Sequence, residues 1–381
     1  MEKIYTALGL MSGTSMDGVD ASLIRSDGIL QFTNILDEYY EYDDKLYGNL
    51  VNLRNLILKK DDLIKYSKEL KNLERQLTIF HSEVVNKIFL KYKNNIDLLG
   101  FHGQTIFHDP KNKTTKQLGD GNLLSQLTKK TVVYNFRQND LNNGGQGAPL
   151  TPVFHNLLTN NIHKEFKGDF PNILNIGGIS NITTILKNSD FLKNEIEAFD
   201  IGPGNCLIDE WIRKKSDKRF DEGGLIGKSG KVDQLILNQA IENFNIVSYN
   251  KSLDTKDFDV SFARGLSLEN GCATITNFTA FLISEGIKFS KKRNKGISHK
   301  YLICGGGRKN IYLIEAINKY LNNFENISLK SIDFYNHNGD FIESQAFGYL
   351  AVRSYLGLPI TFPKTTGCKE PTIGGEITKN F

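Results

Sequence analysis

The sequence predicts an α/β protein of two domains, and three observations carry this prediction. The chain has 381 residues, roughly two to four times a common domain length. Apolar stretches with strand spacing alternate along the chain with stretches that have helical spacing. Several predicted strands run directly into glycine-rich segments, and ligands of α/β sheets bind where strands end in such turns.

The first predicted elements form a β-hairpin. Residues 4–11 are almost wholly apolar, and residues 19–26 alternate between apolar and polar types. The intervening segment GTSMDG is rich in small and polar residues. This order predicts two strands joined by a glycine-rich turn.

A long helix is predicted from residue 63, after the acidic pair at 61 and 62. Apolar residues step by three and four at Tyr66, Leu70, Leu73, Leu77, Phe80 and Val84. The helix would have about 28 residues and a length of roughly 42 Å. Packing on the protein's own sheet is the favoured interpretation, because the pattern lasts only about three heptads; a coiled-coil or dimer seam is the alternative.

The later elements alternate in type. Further strands are predicted at residues 96–101, 131–134, 172–176, 182–186 and 301–304. Further helices are predicted at residues 206–214, 272–289, 311–320 and 342–356.

Charge and composition exclude several classes of protein. The 47 Lys and Arg residues against 43 Asp and Glu leave a net charge of +4 with one short basic block, residues 291–295, so nucleic acid is not an expected partner. We find no run of 18 apolar residues and no signal-like start, so neither a membrane span nor secretion is expected. Four dispersed cysteines without a CxxC pair indicate reduced thiols, and therefore a cytoplasmic protein.

The turn of the first hairpin, MSGTSMDG, has the composition of a phosphate site. Glycine lets the backbone approach a phosphate closely, while Ser12, Thr14 and Ser15 supply hydroxyl groups. Asp17 adds a carboxylate that suits the hydration shell of Mg²⁺. An ordinary tight hairpin with a polar turn is the alternative.

The segment GGLIGKSGK from Gly223 imitates a P-loop. Three residues separate Gly223 from Gly227 where the P-loop pattern needs four, and no apolar strand precedes the segment. We therefore do not expect a P-loop here.

The segment FDIGPGN places Asp200 at the end of a short apolar strand and before a turn into a helix near Asn205. A carboxylate fixed beside a helix N-terminus is well placed to act as a general base. A turn cap is the equally weighted alternative for this motif alone.

The segment FHGQTIFHDP groups polar side chains after a predicted strand: His102, Gln104, His108 and Asp109. The histidine spacing matches no familiar metal site. Hydrogen bonding to a polyhydroxylated ligand is the better interpretation.

A second polar segment, NFRQNDLNNGGQGAPL, contains Arg137, Asp140 and Gln146 among glycines. These side chains are of the types that clamp a carboxylate and hydroxyl groups. A salt-bridged loop is the alternative.

The segment ICGGG lies between a predicted strand and a predicted helix. Bare backbone there would accommodate a flat base or a phosphate, whereas a simple helix N-terminal turn is the alternative.

Taken in series, these motifs resemble the anhydro-N-acetylmuramic acid kinase family over essentially the whole chain. The segments MSGTSMDGVD, FHGQT, NFRQND, GGQGAPL, NIGGISNIT, FDIGPGN and ICGGG occur in the family's order. The resemblance implies the sugar kinase/Hsp70/actin (ribonuclease H-like) fold, with a mixed five-stranded sheet flanked by helices in each of two domains. Domain I would comprise residues 1–150 completed by about 345–381, and domain II residues 151–344.

The resemblance also implies a reaction. Water opens the 1,6-anhydro bond of anhydro-N-acetylmuramate at C1, while O6 takes the γ-phosphoryl group of ATP, giving N-acetylmuramate 6-phosphate and ADP in peptidoglycan recycling. ATP and Mg²⁺ would be the cofactors, relatives are commonly homodimers, and a small sugar would be the partner. A kinase for another sugar and a non-enzymatic actin-like or Hsp70-like ATP switch are the alternatives.

Site roles follow from the resemblance residue by residue. Asp200 would be the base that activates water, and Asp17 would hold Mg²⁺ through water. ATP would be bound by Gly13, Thr14, Ser15, Met16, Asp17, Gly18, Val19, Asp20, Gly305, Gly306 and Gly307. The sugar would be bound by His102, Gln104, Arg137, Asp140, Gln146 and Asn205.

The sequence departs from the family pattern at two places. Asn135 stands where many relatives have Asp, and residues 251–259 differ from the usual Ser, Thr, Gly and Arg pattern. Both differences concern fine substrate contacts rather than the class of protein.

Overall fold

The computed structural model describes residues 3–167, 169–186, 195–244, 249, 251–294, 298–322, 324 and 326–381. The chain divides into two compact units, Met1–Leu157 with Phe341–Phe381, and Leu158–Asp340. The boundaries between the two units lie at residues 157/158 and 340/341. The sequence prediction put them at residues 150/151 and 344/345.

The first unit contains seven strands. They are β1 (Tyr5–Ser12), β2 (Gly18–Ser26), β3 (Phe32–Glu41), β4 (Leu98–Asp109), β5 (Thr114–Leu118), β6 (Thr131–Tyr134) and, near the C-terminus, β12 (Glu376–Thr378). Its helices are α1 (Asp44–Leu56), α2 (Lys60–Lys65), α3 (Ser67–Lys91), α4 (Gly121–Thr128), α5 (Gln138–Asn142), α12 (Ile342–Tyr355) and α13 (Pro363–Thr366). Helix α6 (Pro152–Ile162) contains the changeover to the second unit.

The sheet of the first unit is mixed, with the order β12-β6-β4-β1-β2-β3 and with β5 paired to β4. Strands β1, β4 and β6 are parallel, and β1 and β2 form the predicted antiparallel hairpin. The sheet therefore has two strands more than the five predicted. The short β5 and β12, of 5 and 3 residues, are largely polar and lack the apolar pattern that reveals a strand.

Two glycines let α12 lie directly on this sheet. A Cβ at Gly9 in β1 would lie 1.9 Å from the Ser344 carbonyl oxygen, and one at Gly100 in β4 would lie 2.2 Å from that of Phe347. Any side chain at either position would push the helix off the sheet. Glycine is therefore needed for this close approach.

The predicted long helix is interrupted. Helix α2 ends before Tyr66, whose φ of −103° and ψ of 26° depart from helical values, and α3 then runs for 25 residues. Leu70, Leu73 and Leu77 of α3 are buried in the core of the first unit. The apolar stripe thus packs on the protein's own sheet, as the favoured interpretation predicted.

The second unit is built on a five-stranded sheet, the number predicted, with the order β11-β10-β7-β8-β9. Its strands are β7 (Asn172–Ile176), β8 (Ile179–Leu186), β9 (Glu195–Pro203), β10 (Lys300–Cys304) and β11 (Ser328–Ser331). Its helices are α7 (Cys206–Lys215), α8 (Leu225–Ser229), α9 (Gln234–Asn243), α10 (Leu268–Arg293) and α11 (Ile311–Leu321). The predicted mixed α/β architecture is confirmed.

Strands β7, β9 and β10 run in one direction, because β7 is parallel to β10 while β8 is antiparallel to both β7 and β9. Their carboxyl ends therefore lie at one edge of the sheet. Ile176 and Phe199 are buried in the core with Trp211 of α7 and Ile283 of α10. The predicted site motifs of this unit lie at those carboxyl ends or directly after them.

Two predicted strands are longer than expected. Strand β4 continues through the polar segment to Asp109, and β9 continues through Asp200 to Pro203. Backbone pairing with β5 and β8 extends them, which an apolar pattern does not indicate. His102 and Gln104 therefore lie within a strand, not after it.

In the described part of the chain, we find no helix that combines the length and the hydrophobicity needed to cross a bilayer. None of the four cysteines, all in the described part of the chain, forms a disulfide.

Candidate active site

The turn between β1 and β2 is compact and open to solvent. The Met16 N–H donates to the Gly13 carbonyl at 3.2 Å, and Met16 takes a left-handed φ of +60°. Thr14 and Ser15 are exposed, and the Ser15 hydroxyl donates to Asp17 Oδ1 at 2.6 Å. A Cβ at Gly13 would meet nothing closer than 3.9 Å, so the space beside this backbone is available to a ligand. Gly18, Val19 and Asp20 begin β2.

A buried hydrogen-bond chain supports the turn from below. The Tyr42 N–H donates to the Asp17 carbonyl at 2.8 Å, and the Tyr42 hydroxyl lies 2.6 Å from Ser12 Oγ. Ser12 Oγ is also 3.3 Å from His81 Nε2, while His81 Nδ1 contacts the Leu77 carbonyl at 2.8 Å. Burial lowers the pKa of His81 to about 4, so its imidazole is neutral. Because a carbonyl oxygen can only accept, Nδ1 donates to Leu77, and Nε2 therefore accepts from Ser12. No sequence motif pointed to Tyr42 or His81, which lie 30 and 69 residues after Ser12.

Gln104 of β4 joins this turn directly. Its Nε2 donates to the Gly13 carbonyl at 3.0 Å, because Ser12 and Gln104 are paired in register between β1 and β4. The Gln104 side chain is 1% exposed, and its Oε1 has no hydrogen-bond partner. A buried acceptor without a donor is costly and indicates a site that a ligand or water completes.

His102 and Arg137 form a second contact at the same edge. Arg137 Nη2 lies 2.9 Å from His102 Nε2, and His102 Nδ1 lies 2.7 Å from the Gly103 carbonyl. Arg137 can only donate, so Nε2 accepts and the proton is on Nδ1. Burial and the Arg137 charge hold the pKa of His102 well below 6.5. Arg137 also donates to the Gly147 carbonyl at 2.8 Å, so it links β4 to the GGQGAP segment.

Asp140 holds that segment in place. It is 1% exposed, and its carboxylate accepts from the Gly147 N–H and from Thr366 Oγ1, both at 2.7 Å. The Gln146 N–H donates to the Thr366 carbonyl at 2.8 Å, and the Gln146 side chain is half-buried. The carboxylate of Asp140 is therefore engaged within the protein, and its contacts are those of a residue that shapes the loop.

The remaining polar residues of β4 belong to other contacts. His108 Nδ1 lies 3.1 Å from Thr115 Oγ1, and Asp109 accepts from Asn112 in a local turn. Asn135, where the sequence departs from the family pattern, donates to Glu376 of β12 at 2.5 Å. An Asp at that position would place two carboxylates together, so Asn suits this local contact.

In the second unit, Asp200 lies within β9, opposite Asn181 of β8. It is 7% exposed, and its Oδ2 accepts from the Leu253 N–H at 2.8 Å. The turn amides of Gly204 and Asn205 donate instead to the Gly178 and Gly177 carbonyls, at 2.9 and 2.8 Å. The amides of Gly204 and Asn205 are thus paired with the turn between β7 and β8.

The contact from Leu253 also explains why an unusual segment is compatible with this site. Residues 251–259 differ in side chains from the family pattern, but Leu253 contributes its backbone N–H to Asp200. Any residue except proline supplies that donor.

The ICGGG turn lies at the carboxyl end of β10, against β7. Gly305 has a left-handed φ of +80°, and a Cβ there would lie 2.5 Å from Asn175 Oδ1. A Cβ at Gly307 would lie 2.2 Å from Ile176 Cγ2, whereas one at Gly306 would meet Asn205 Nδ2 only at 3.6 Å. Gly305 and Gly307 are therefore required by packing, and Gly306 leaves open backbone beside Asn205.

Arg308 fixes this turn and was not singled out from the sequence. Its Nη1 donates to the Gly305 carbonyl at 3.1 Å and contacts Asp340 at 2.5 Å, while Nε contacts Asp333 at 2.7 Å. Burial opposes ionisation of Asp333, but the hydrogen bond from Arg308 lowers its pKa to about 2. The turn is held by a buried guanidinium paired with two carboxylates.

Two negative findings bear on the sequence interpretation. Among the described residues, no group of three His, Cys, Asp or Glu side chains could hold a metal ion. The segment from Gly223 that imitates a P-loop includes helix α8. The Asp221 carboxylate accepts from the N–H groups of Ile226 and Gly227 in this helix, at 2.8 and 3.0 Å. Its amides are thus partly occupied by the protein itself.

Comparison with known proteins identifies the class as a kinase, a phosphotransferase with an alcohol group as acceptor. Residues 5–380 match the family model described as anhydro-N-acetylmuramic acid kinase. The chain belongs to that family, which confirms the resemblance noted in the sequence.

Curated relatives share this family name over their full lengths. The protein of that name from Pelagibacter ubique is 52% identical over 384 aligned positions, covering 100% of both chains. Those from Rhizobium etli and Agrobacterium fabrum are 38% and 36% identical, covering 99% and 100% of both chains. Among solved structures, gluconate kinase from Lactobacillus acidophilus is a remote likeness, with a TM-score of 0.43, 9% identity and coverage of 93% of this chain and 90% of that one.

Proposed function

We propose that this protein cleaves the 1,6-anhydro ring of anhydro-N-acetylmuramate with water and phosphorylates O6, using ATP. Water attacks C1, the C1–O6 bond breaks, and O6 attacks the γ-phosphorus as the bond to ADP breaks. Asp200 takes the proton of the water and returns it to solvent. The products are N-acetylmuramate 6-phosphate and ADP, as required in peptidoglycan recycling.

The hydrogen bond between Gln104 and Gly13 is the observation that carries this proposal. Gly13 belongs to the segment expected to bind phosphate, and Gln104 to the segment expected to bind sugar. Their contact puts the two segments side by side, which transfer from a phosphate to a sugar hydroxyl oxygen requires. The buried Oε1 of Gln104 then accepts from a sugar hydroxyl, which satisfies an atom that has no partner without substrate.

The turn residues 13–20 support binding of the phosphates. Gly13 offers unobstructed backbone, and the exposed Thr14 hydroxyl is a donor at the same turn, while the Ser15 hydroxyl donates to Asp17. In phosphoryl transfer, positioning and neutralisation of charge supply most of the catalysis. In the second unit, the open backbone at Gly306, beside Asn205, supports a contact to the nucleotide.

The turn also fits a magnesium ion that arrives with the nucleotide. Mg²⁺ keeps several waters and is typically held by one or two carboxylates together with substrate phosphates, rather than by an all-protein cage. Asp17 is a half-buried carboxylate oriented by Ser15, whereas the described residues contain no larger cluster of metal ligands. Bound there, Mg²⁺ would neutralise charge on the phosphates, and Asp17 would orient its water shell.

On the sugar side, Arg137 and Gln146 suit the carboxylate and hydroxyl groups of the substrate. His102 orients the Arg137 guanidinium by accepting from it, and remains neutral because its pKa is so low. Asp140 acts through the loop that it anchors, because both of its oxygens are engaged by the protein. We therefore assign Asp140 a positioning role rather than direct contact with sugar.

Asp200 suits the role of general base because Leu253 fixes the orientation of its carboxylate within a buried site. Opening the anhydro bond needs activation of water, while the leaving O6 takes a phosphoryl group in place of a proton. A single carboxylate base is then sufficient.

ADP release measured over a panel of sugars tests the proposal. We expect turnover with anhydro-N-acetylmuramate and little with glucose, N-acetylglucosamine or N-acetylmuramate. Mass spectrometry should find one molecule of N-acetylmuramate 6-phosphate for each ADP formed. Faster turnover of another sugar would assign the enzyme to that sugar, and no ADP with any sugar would contradict a kinase role.

A further inference from the structure

A row of polar side chains crosses the sheet of the second unit. Backbone register pairs Cys304 of β10 with Asn175 of β7, Asn175 with Asn181 of β8, and Asn181 with Asp200 of β9. Directly opposed residues of neighbouring strands point to the same face of a sheet. The row therefore ends at the proposed base.

The opposite face of these strands is hydrophobic. Ile182 of β8 and Phe199 and Ile201 of β9, the sequence neighbours of Asn181 and Asp200, lie in the core of the second unit. Side chains alternate between faces along a strand, so Asn181 and Asp200 lie together on the face away from that core. Asn181 comes from the NIGGISNIT segment, to which the proposed reaction has not yet given a role.

Asn181 has a buried acceptor that nothing in the described structure satisfies. The residue is 9% exposed, and its Oδ1 has no hydrogen-bond partner. A buried carbonyl oxygen without a donor costs about 1–3 kcal/mol. Such an atom beside a reaction centre indicates that a donor is bound there during the reaction.

The spacing suits one water molecule. Opposed Cβ atoms in an antiparallel pair lie about 4.5–5.5 Å apart, and two side-chain oxygens at such a spacing are readily bridged by one water through hydrogen bonds of about 2.8 Å. Water has two hydrogens, and a nucleophilic water needs an acceptor for each if a lone pair is to face the carbon that it attacks. Asp200 supplies one acceptor.

We propose that Asn181 Oδ1 is the second acceptor and that Asn181 holds the attacking water together with Asp200. This inference rests on the proposed reaction and adds a catalytic residue to it. As water attacks C1, one hydrogen passes to Asp200 as a proton, while the other stays on the new C1 hydroxyl and is held by Asn181. Asn181 itself gains and loses no proton.

Methanol distinguishes this role from a structural one. Methanol has a single O–H, which Asp200 deprotonates, and its methyl group has no use for a second acceptor. In mixed water and methanol we expect the enzyme to form N-acetylmuramate 6-phosphate from water and its methyl glycoside from methanol. The ratio of the two products, measured by mass spectrometry, reports on recognition of the second hydrogen and does not depend on how much enzyme is folded.

We expect Asn181→Ala to slow hydrolysis by about tenfold or more, the equivalent of one hydrogen bond, with little change in the KM for ATP. The ratio of methyl glycoside to free sugar should rise by about tenfold, because loss of the acceptor slows attack by water but not attack by methanol. Asn181→Asp keeps an acceptor oxygen and should retain a ratio close to that of wild type. Thr183→Val, one step along the same face of β8, is the matched control and should leave the ratio unchanged.

The outcomes separate this inference from the proposed function. Wild-type turnover with the same product ratio in wild type and Asn181→Ala would overturn the role of Asn181 alone. A rise in the ratio in Thr183→Val equal to that in Asn181→Ala would also overturn it, since the effect would then be one of general packing. A wild-type enzyme that forms no 6-phosphate would overturn the proposed reaction and this inference with it.

Discussion

Replacing Asp200 by Asn separates a general base from a structural carboxylate. Asp200 is buried and accepts a hydrogen bond from the Leu253 N–H at 2.8 Å. The Asn side chain has the same size and retains an oxygen that accepts from this donor, so we expect a loss of stability of about 1 kcal/mol or less. Asn cannot accept a proton, and loss of a positioned base slows turnover about a hundredfold to ten-thousandfold.

In free energy, that rate loss corresponds to about 3–5 kcal/mol of transition-state stabilisation, several times the expected loss of stability. The assay is ADP release with anhydro-N-acetylmuramate, with thermal unfolding to verify the fold and calorimetry to verify ATP binding. Ring opening and ADP formation should fall together, because O6 becomes a good acceptor only as its bond to C1 breaks.

Asp221→Asn is the matched control for this variant. Asp221 is also a buried carboxylate of the second unit, 5% exposed, and accepts from two backbone N–H groups. Asn has only one acceptor oxygen, so this variant should lose at least as much stability as Asp200→Asn yet keep near-normal turnover. Turnover by Asp200→Asn within about tenfold of wild type, short of the loss expected for a general base, would refute the assignment.

Three further predictions concern the turns and the buried histidines. Tyr42→Phe removes the hydroxyl that supports the turn between β1 and β2, and we expect a several-fold higher KM for ATP with about 1 kcal/mol less stability; an unchanged KM would argue against that support. Gly305→Ala puts a Cβ 2.5 Å from a neighbouring side-chain oxygen and should raise the KM for ATP about tenfold or more. Gly265→Ala, which has open space around it, should leave this KM unchanged, and equal effects of the two variants would contradict the packing argument. Burial lowers the pKa of His81 to about 4 and that of His155 to about 3, so below pH 6.5 the unfolded chain binds more protons than the folded chain. Denaturant titrations should therefore show the free energy of unfolding falling by about 1.4 kcal/mol per histidine for each pH unit from 6.5 towards 4. A free energy of unfolding that does not change over this range would contradict neutral buried histidines.

Much of the fold could be predicted from the sequence because apolar periodicity marks buried elements. Strand β7 at Asn172–Ile176 and strand β6 at Thr131–Tyr134 have their predicted bounds, and both are mainly apolar and buried. Strand β12 at Glu376–Thr378 was not predicted, because pairing with β6 rather than burial makes it a strand. The interruption at Tyr66 is likewise invisible to a pattern that counts only apolar positions.

Some residues of the candidate site could likewise be predicted from the sequence, whereas others could not. Gly13 and Gly305 could be located from the sequence, because tight turns after strands favour glycine and small polar residues. Partners from elements far along the chain have no such sequence pattern. Tyr42, between β3 and α1, and His81 of α3 support the first turn. Arg308 fixes the second turn through Asp333 and Asp340. The distinction between a ligand contact and a loop anchor, as for Asp140, depends on hydrogen bonds that only the fold specifies.

The central claim is that water attacks C1 while the oxygen of the anhydro bridge receives the phosphoryl group. Anhydro-N-acetylmuramate labelled with oxygen-18 in that bridge tests it most directly. After one round of turnover with ATP, phosphorus NMR and mass spectrometry of the product should locate the label in the ester oxygen between C6 and phosphorus, with one ADP formed per labelled ester. Label at the C1 hydroxyl, or an unlabelled ester, would show that a different bond is broken and would contradict the account.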